Sequence, residues 1–256
     1  MGFSAPAGDN EIVHPMSQRP VYVTVDVEPD CPPFLNTWRG IDEGMPKLRQ
    51  LLREEAIRAT MFVTGDVARR YPALIDGLVA DGHELGCHGD THASFATLTD
   101  EQAAREIRNS TGTLRAHADV VSFRAPYLQL PVRMLRRLRD AGYRLDSSAG
   151  RHKTLSARVE MVDGMLRVPA SITSSTLRWP ALFRNALLAR LSEPAVVFVH
   201  PWEFVDLRRT NLRFDCRFKT GDTALACLRD TIRFFKGRNA VFGTMRDYLT
   251  MQPLRP

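Results

Sequence analysis

Short, almost continuously apolar runs alternate with segments of helical periodicity along most of this chain of 256 residues. The runs at 20–25, 59–63 and 195–199 are rich in β-branched residues and lack the polar alternation of a half-exposed strand. Runs of this kind are typical of strands that are buried on both faces of a sheet. Because helical segments separate them, the pattern predicts βαβ units around a parallel sheet, and therefore an α/β fold.

The periodicity of the segments between these runs predicts the remaining elements. In each helical segment apolar residues recur every three to four positions, and glycine or proline stands near several of the ends. The predicted helices cover 43–55, 67–80, 99–116, 131–141 and 220–235, the further strands lead to His88 and cover 120–123 and 241–242, and a hairpin covers 159–168. Residues 1–19 are predicted to be a flexible leader and residues 20–256 a single domain.

Charge and cysteine usage limit the partners and the compartment. The 35 Lys and Arg residues exceed the 29 Asp and Glu residues, which gives a net charge of +6. A solvated basic face is the commonest reason for such an excess, and an acidic partner or an anionic membrane surface is the alternative. No nucleic-acid motif accompanies the charge, so no nucleic acid is expected as a partner. Four dispersed cysteines without a CxxC pair, and no apolar segment of signal-peptide length, predict a reducing, cytoplasmic setting.

Chemically reactive side chains follow the ends of the predicted strands. They are Asp26, Glu28, His88, His92, Arg124, Asp146 and His200. At the carboxyl edge of a parallel sheet or barrel, residues in such positions meet in one site. The two histidines are four positions apart, so helical curvature there would place both imidazoles on one face. Two imidazoles and one carboxylate form a typical catalytic zinc shell, with one position open for water.

Five short motifs then occur in a recognisable order. They are Thr-Val-Asp-Val-Glu-Pro at 24–29, His-Gly-Asp-Thr-His at 88–92, Arg-Ala-Pro-Tyr at 124–127, Asp-Ser-Ser at 146–148 and Val-Phe-Val-His at 197–200. In this order they resemble the motifs of the polysaccharide deacetylase family, the NodB-homology enzymes of carbohydrate esterase family 4. The resemblance implies a distorted (β/α) barrel of about seven parallel strands. It also implies a metal-dependent hydrolase that removes an N-acyl group, usually acetyl, from an amino sugar.

The first motif departs from the usual family pattern. The family has an adjacent Asp-Asp pair, and Val27 stands here where the metal-binding Asp is found. By resemblance to members with an Asp-x-Asp start, Asp26 is expected to be the base and Glu28 the metal carboxylate, beside the two histidines of the second motif. The reverse assignment stays open, and Asp30 is a third candidate. The implied metal is zinc, with Co²⁺, Ni²⁺ or Mn²⁺ as alternatives.

The same resemblance suggests roles for the other motif residues. Arg124 is expected to orient Asp26, and His200 to protonate the departing amine. Asp146 is expected to hold the imidazole of His200 charged and oriented. The backbone N–H of Tyr127, together with the metal, is expected to bind the oxyanion.

Several alternatives remain open on the sequence alone. His-Pro-Trp-Glu at 200–203 resembles an intracellular branch linked to exopolysaccharide biosynthesis, which suggests a polysaccharide or a lipid-linked saccharide precursor as substrate. The stretch 38–46 resembles a deformylase that acts on a lipid-linked formamido sugar, so another C–N amide hydrolase is the first alternative. Val27 in the first motif favours a second, a catalytically impaired carbohydrate-binding protein. Trp38 and Trp202 are candidates for stacking on a sugar face, with packing in the core as the competing explanation.

One further segment has an amphipathic pattern. The apolar residues that recur there at helical spacing are Leu182, Phe183, Leu187, Leu188 and Leu191, with Arg184 and Arg190 between them. A helix packed on the core is the usual meaning of this pattern. A basic amphipathic helix lying on a membrane is the sharper alternative.

Overall fold

Nine strands form one sheet in the described part of the chain. The computed structural model describes residues 18–35, 37–153 and 156–252, so the predicted leader lies outside it up to residue 17. The strands are β1 (Pro20–Val27), β2 (Thr60–Val63), β3 (Glu84–Cys87), β4 (Ser122–Phe123), β5 (Leu145–Asp146), β6 (Glu160–Val162), β7 (Met165–Arg167), β8 (Ala195–Val199) and β9 (Val241–Gly243). Each prediction of a strand is confirmed, although β4 and β5 are only two residues long.

Helices connect and cover these strands. They are α1 (Met45–Glu54), α2 (Gly65–Arg70), α3 (Pro72–Ala80), α4 (Asp100–Arg115), α5 (Met134–Asp140), α6 (Ser174–Leu177), α7 (Ala181–Ala189), α8 (Phe214–Arg217), α9 (Asp222–Lys236) and α10 (Met245–Met251), with a π-helical turn at Gly40–Gly44 and 3₁₀ turns at Pro126–Leu128 and Pro201–Phe204. The single helix predicted over 67–80 was wrong. Tyr71 leaves the helical region, with φ −128° and ψ 54°, because the ring of Pro72 disfavours helical backbone in the preceding residue. No helix among the described residues is long and apolar enough to cross a membrane.

The sheet is almost entirely parallel. Its order is β6-β7-β5-β4-β3-β2-β1-β8, with β9 also paired to β1. Only β6 runs antiparallel to its neighbour, in the predicted hairpin with β7. Asp163 and Gly164 at its tip both have positive φ, which is the backbone of a two-residue turn that favours Asp-Gly.

The chain after β7 returns to the other end of the sheet. Gly150 bridges Ala170, and Ile172 bridges Val197 of β8. The N–H of Ser171 donates to the carbonyl of Val196 at 2.7 Å. The sheet therefore curls into a distorted barrel, as the predicted fold class requires.

The two faces of β1 explain where the polar residues lie. Val21, Val23, Val25 and Val27 belong to the large core between the sheet and the helices. Side chains alternate along a strand, so residues 22, 24 and 26 point to the opposite face. Tyr22 packs there with residues of β2, β5, β8 and α10 in a second, inner apolar cluster. The inner face thus changes from apolar at the start of β1 to charged at its carboxyl end.

Candidate active site

The first motif places two buried carboxylates at the carboxyl end of β1. Asp26 and Glu28 are 3% and 5% exposed. They follow Thr24 at alternate positions on the inner face, where the apolar lining ends. Burial of two acids is costly unless each has charged or hydrogen-bonding partners. Both acids have such partners in the motifs that follow other strands.

The histidine pair of the second motif meets Glu28. The Nε2 atoms of His88 and His92 lie 3.2 and 2.6 Å from Oε2 of Glu28. The predicted helical curvature between the histidines was wrong, because residues 88–92 form no helix. Gly89 and His92 instead adopt positive φ values of 76° and 63°, which turn the chain back on itself. One ligand atom from each of the three residues falls within 4.8 Å of the others.

These three side chains fit a divalent cation. The Nδ1–H of His88 donates to the carbonyl of Arg124 at 2.8 Å, which leaves the lone pair on Nε2, facing Glu28. Burial alone raises the pKa of Glu28. The charges of His92 and His200, and hydrogen bonds from His88 and His92, nevertheless hold that pKa well below its usual value. The carboxylate is therefore ionised and ready to act as a ligand. One carboxylate and two imidazoles are the donor set of a catalytic zinc site.

The structure separates the three candidate carboxylates of the first motif. Glu28 faces the histidines. Asp26 turns towards Arg124. Asp30 accepts a hydrogen bond from the backbone N–H of Gly40 at 2.8 Å and another from the Thr37 hydroxyl, so it fixes a loop. The geometry therefore favours Glu28 as the metal carboxylate.

Arg124 forms a buried ion pair with Asp26. Its guanidinium is fully buried and donates from Nη1 to Oδ1 of Asp26 at 2.7 Å and to the Thr24 hydroxyl at 2.8 Å. Its other nitrogens donate to the carbonyl and hydroxyl of Ser147. The guanidinium carbon also lies 4.3 Å from the centre of the Phe62 ring. This buried, charge-assisted hydrogen bond orients the carboxylate of Asp26.

His200 stands on the other side of the two carboxylates. Its Nε2 lies 3.9 Å from both Oδ2 of Asp26 and Oε1 of Glu28. Its Nδ1–H donates to Oε1 of Glu203 at 2.7 Å. Burial lowers the pKa of His200, but the negative charges of Glu28, Glu203 and Asp26 outweigh it and raise the pKa to about 9. The imidazole is therefore protonated at neutral pH.

The predicted partner of His200 was wrong. Asp146 accepts a hydrogen bond from Nε of Arg167 at 3.0 Å and two more from the backbone and hydroxyl of Ser148. Ser148 in turn accepts from the N–H of Ala125, so Asp146 shapes the loop behind the third motif. Glu203 takes the role at His200, and the sequence signal for it was the three-residue spacing in His-Pro-Trp-Glu, which forms a capping box here.

Of the three aromatic candidates, Tyr127 and Trp202 lie in the site, and Trp38 packs outside it. Tyr127 lies edge-on to His92, with ring centres 4.7 Å apart, and lines the cavity. Trp202 is buried; its Nε1 donates to Oε1 of Glu28 at 3.1 Å and its ring stacks on His200. It therefore contacts both of these site residues and has no free face for a sugar. Trp38 packs against Tyr71 and lies outside the cavity lining, which corrects its predicted contact with substrate.

A cavity of about 290 Å³ opens over these residues. Its lining includes Asp26, Glu28, His88, His92 and His200. The apolar side chains of Phe34, Leu128 and Phe198 line part of the rest, and the backbone and hydroxyl groups of 173–175 line another part. This volume is at the lower end for a small-molecule site. It suits one or two sugar-sized groups.

Comparisons with known proteins agree with this arrangement. A family model for polysaccharide deacetylases matches residues 14–145, just over half of the chain. A chitooligosaccharide deacetylase of Sinorhizobium fredii is 33% identical over 85 residues, which are 32% of this chain and 40% of the relative. The matched segments span less than half the length of the curated relatives described by name, from 22% to 46%.

Solved structures share the fold over nearly the whole chain. A Mycobacterium smegmatis protein assigned to the polysaccharide deacetylases superposes with a TM-score of 0.69 at 17% identity, covering 99% of this chain and 98% of that one. A family 4 carbohydrate esterase pseudoenzyme of Bacillus anthracis superposes with a TM-score of 0.61 at 15% identity, covering 91% and 66%. At such identities the likeness shows the fold alone. Because the family model covers more than half of the chain, this protein belongs to the polysaccharide deacetylase family.

Proposed function

We propose that this protein is a metal-dependent amide hydrolase that removes an N-acetyl group from an amino sugar of a polysaccharide or a lipid-linked saccharide precursor. One observation carries the proposal. Glu28, His88 and His92 bring their ligand atoms within 4.8 Å of one another, with Asp26 and His200 at the edge of the same cavity. A base, an acid and a set of metal ligands therefore face one reacting group.

The ligand set supports zinc as the ion. Two imidazoles and one carboxylate leave a coordination position open, as catalytic zinc sites do, and Co²⁺, Ni²⁺ or Mn²⁺ accept similar donors. When bound, such an ion polarises an amide carbonyl and makes water more acidic. The buried, ionised Glu28 supplies the negative charge that retains it.

Asp26 is suited to take the proton of the attacking water. Arg124 binds its Oδ1, so the carboxylate cannot rotate and Oδ2 faces the cavity near His200. A general base must lie within hydrogen-bond reach of the proton that it removes, and such a base contributes about 10²–10⁴-fold to the rate. Arg124 therefore acts through Asp26 and contacts no substrate itself.

His200 is suited to protonate the leaving amine. An amine anion is too basic to depart, so the C–N bond breaks only as a proton arrives. The carboxylate of Glu203 keeps the imidazole charged and its Nε2 directed at the cavity. Tyr127 has left-handed backbone, with φ 60°, in the turn Pro126–Leu128, and its backbone N–H would donate to the oxyanion.

The test measures acyl release and bound metal together. Zinc-loaded protein is incubated with N-acetylated and N-formylated chitooligosaccharides, and free acetate and formate are quantified. We expect acetate release, loss of both zinc and activity in His88→Ala, and retention of both in the matched control His117→Ala, whose histidine pairs with Asp76. Preferential formate release would instead assign the deformylase alternative. Zinc-loaded protein that releases neither acid would contradict the proposal.

Val27 gives little support to the alternative of an impaired binding protein. Its side chain is fully buried in the outer core, on the face of β1 opposite Asp26. The carboxylate that faces the histidines comes from Glu28, one position later. The substitution in the first motif therefore moves the ligand along the strand and leaves a complete donor set.

A further inference from the structure

Five large apolar side chains are exposed in or near three segments that contribute residues to the cavity lining. They are Phe34, Trp179, Leu182, Phe183 and Phe214, between 48% and 78% exposed, and are called the apolar rim below. Phe34 lines the cavity itself, and Arg178 and Asp215 next to the other rim segments line it too. Scattered single apolar residues are normal on a protein surface, but a group beside one opening marks an interaction site.

The rim is held in place by a buried arginine. Arg178 is 2% exposed and donates to the carbonyls of Asp215 at 2.7 Å and Phe218 at 2.6 Å. It therefore ties the segment between α6 and α7, which carries Trp179, to α8, which carries Phe214. The rim is a fixed surface of the fold, so its apolar area stays exposed in the folded protein.

The large apolar side chains of α7 are exposed only in its first turn. Leu188 is fully buried, and Leu187 and Leu191 pack against the core. Leu182 and Phe183, at 78% and 63% exposed, point away from it. The rear half of α7 therefore packs on the core, as the usual meaning of its pattern predicted, and its first turn is free to contact a partner.

Positive charge is concentrated in the loop that contains Phe214. The loop 206–219, which includes α8, contains five basic and two acidic residues. Both acids form ion pairs within the loop, Asp206 with Arg208 and Asp215 with Arg213, so the remaining charge is positive. Apolar side chains with a tryptophan, bordered by Arg and Lys, have the composition of surfaces that insert into an anionic bilayer.

We propose that the apolar rim inserts into the interfacial region of an anionic membrane while the loop 206–219 contacts the lipid headgroups. The inference goes beyond the proposed hydrolase and does not depend on it, because binding is measured without turnover. The basic residues left unpaired in the loop complement anionic lipid headgroups, and this favours a lipid surface over a protein partner. When the protein is bound to the membrane in this way, its cavity opens towards the membrane surface.

The test is co-sedimentation of the full chain with vesicles at low salt. Vesicles of phosphatidylcholine alone are compared with vesicles that also contain phosphatidylglycerol. The rim variant is Leu182→Glu with Phe183→Glu, and the matched control is Met161→Glu, an equally exposed apolar residue on β6. Because the rim variant replaces two apolar side chains by charged ones, we expect its association with the vesicles to be at least about tenfold weaker. We expect no change for the control.

Further variants keep the test decisive. Phe214→Ser on α8 should weaken sedimentation even if the double variant folds poorly, and Arg209→Gln with Lys219→Gln should reduce its salt dependence. Wild-type protein that stays in the supernatant with anionic vesicles, or rim variants that sediment like wild type, would overturn the proposal. So would equal sedimentation with neutral vesicles. Dimerisation that the rim variant abolishes, without vesicle binding, would assign the surface to a second copy of the chain.

Discussion

At the scale of single residues, His200, the proposed proton donor, depends on a carboxylate outside the five motifs. His200 bonds to Glu203, whose own pKa is lowered because the charges of Arg178 and His200 exceed the effect of its burial. Arg178 lies 3.6 Å from Glu203, and both side chains are 2% exposed. His200, Glu203 and Arg178 thus form a buried series of alternating charges. Asp146 belongs to a separate group with Arg167.

Replacement of Glu203 by Gln should shift the alkaline limb of the pH–rate profile. The amine leaves only when His200 is protonated, so the rate falls as pH rises through the pKa of His200. Glu203 raises that pKa, and its removal lowers it. We therefore expect the alkaline limb of the zinc-loaded Glu203→Gln variant to lie at lower pH than that of the wild type, and its kcat to be about 10²-fold lower.

Asp146→Asn is the matched comparison for this experiment. Since Asp146 bonds to Arg167 and Ser148 and not to His200, the limb should stay where it is in the wild type. The measurement is initial rate against pH for the three proteins. A limb that moves in Asp146→Asn and stays fixed in Glu203→Gln would restore the assignment made from the motifs.

At the scale of elements, two short helical turns approach each other without side chains between them. The π-helical turn contributes Gly40 and Gly44, and the facing 3₁₀ turn carries Trp202 and Glu203. A Cβ atom on Gly44 would lie 2.1 Å from the carbonyl oxygen of Pro201. A Cβ atom on Gly40 would lie 2.5 Å from the backbone nitrogen of Trp202. Glycine is therefore required at both positions for the turn beside His200 to reach the site.

Gly44→Ala should destabilise the fold and lower activity together. The clash is with backbone, which cannot rotate away, and overpacking of this kind costs about 1–3 kcal/mol or more. Gly112→Ala is the control, because a Cβ atom there meets nothing within 4 Å and alanine favours the interior of α4 by about 0.5–1 kcal/mol. Urea unfolding of both variants measures the difference. Equal stability of the two variants would show that the turns are not in such close contact.

At the scale of the whole molecule, one barrel end is closed by apolar residues and the other holds the charges. Met245 and Leu249 of α10 belong to the inner cluster with Tyr22, and the same strand ends in Asp26. Strands β1 and β3 bring in the ligands of the metal site from positions sixty residues apart in sequence. The site therefore exists only when the barrel is closed, and a ligand that binds it must stabilise the whole fold.

Zinc should raise the melting temperature of the chelator-treated protein. At a hundredfold excess over the Kd the added stability is about 2.7 kcal/mol. For a domain of this size that corresponds to a shift of about 5–11 °C. Differential scanning calorimetry measures it without turnover. His92→Ala should abolish the shift and His117→Ala should retain it. A shift of the same size in His92→Ala would place the ion elsewhere.

The sequence by itself determined the strands, the edge at which they present polar groups and most of the candidate metal site. Buried parallel strands must be continuously apolar and must end where solvent begins, so polar residues after them mark the carboxyl edge. The short-range spacing of Asp26 and Glu28 and of the histidine pair placed all four residues at this edge. These are local properties of the chain, and periodicity and motif order are sufficient to read them.

Only the tertiary structure decided which distant side chains touch. It paired Asp146 with Arg167 and Trp202 with Glu28, and it left Trp38 outside the cavity. Such contacts depend on the curvature of the barrel and on the direction of each side chain after its strand ends. A residue pattern fixes the face on which a side chain lies, but the partner across the cavity is set by the packing of the whole chain.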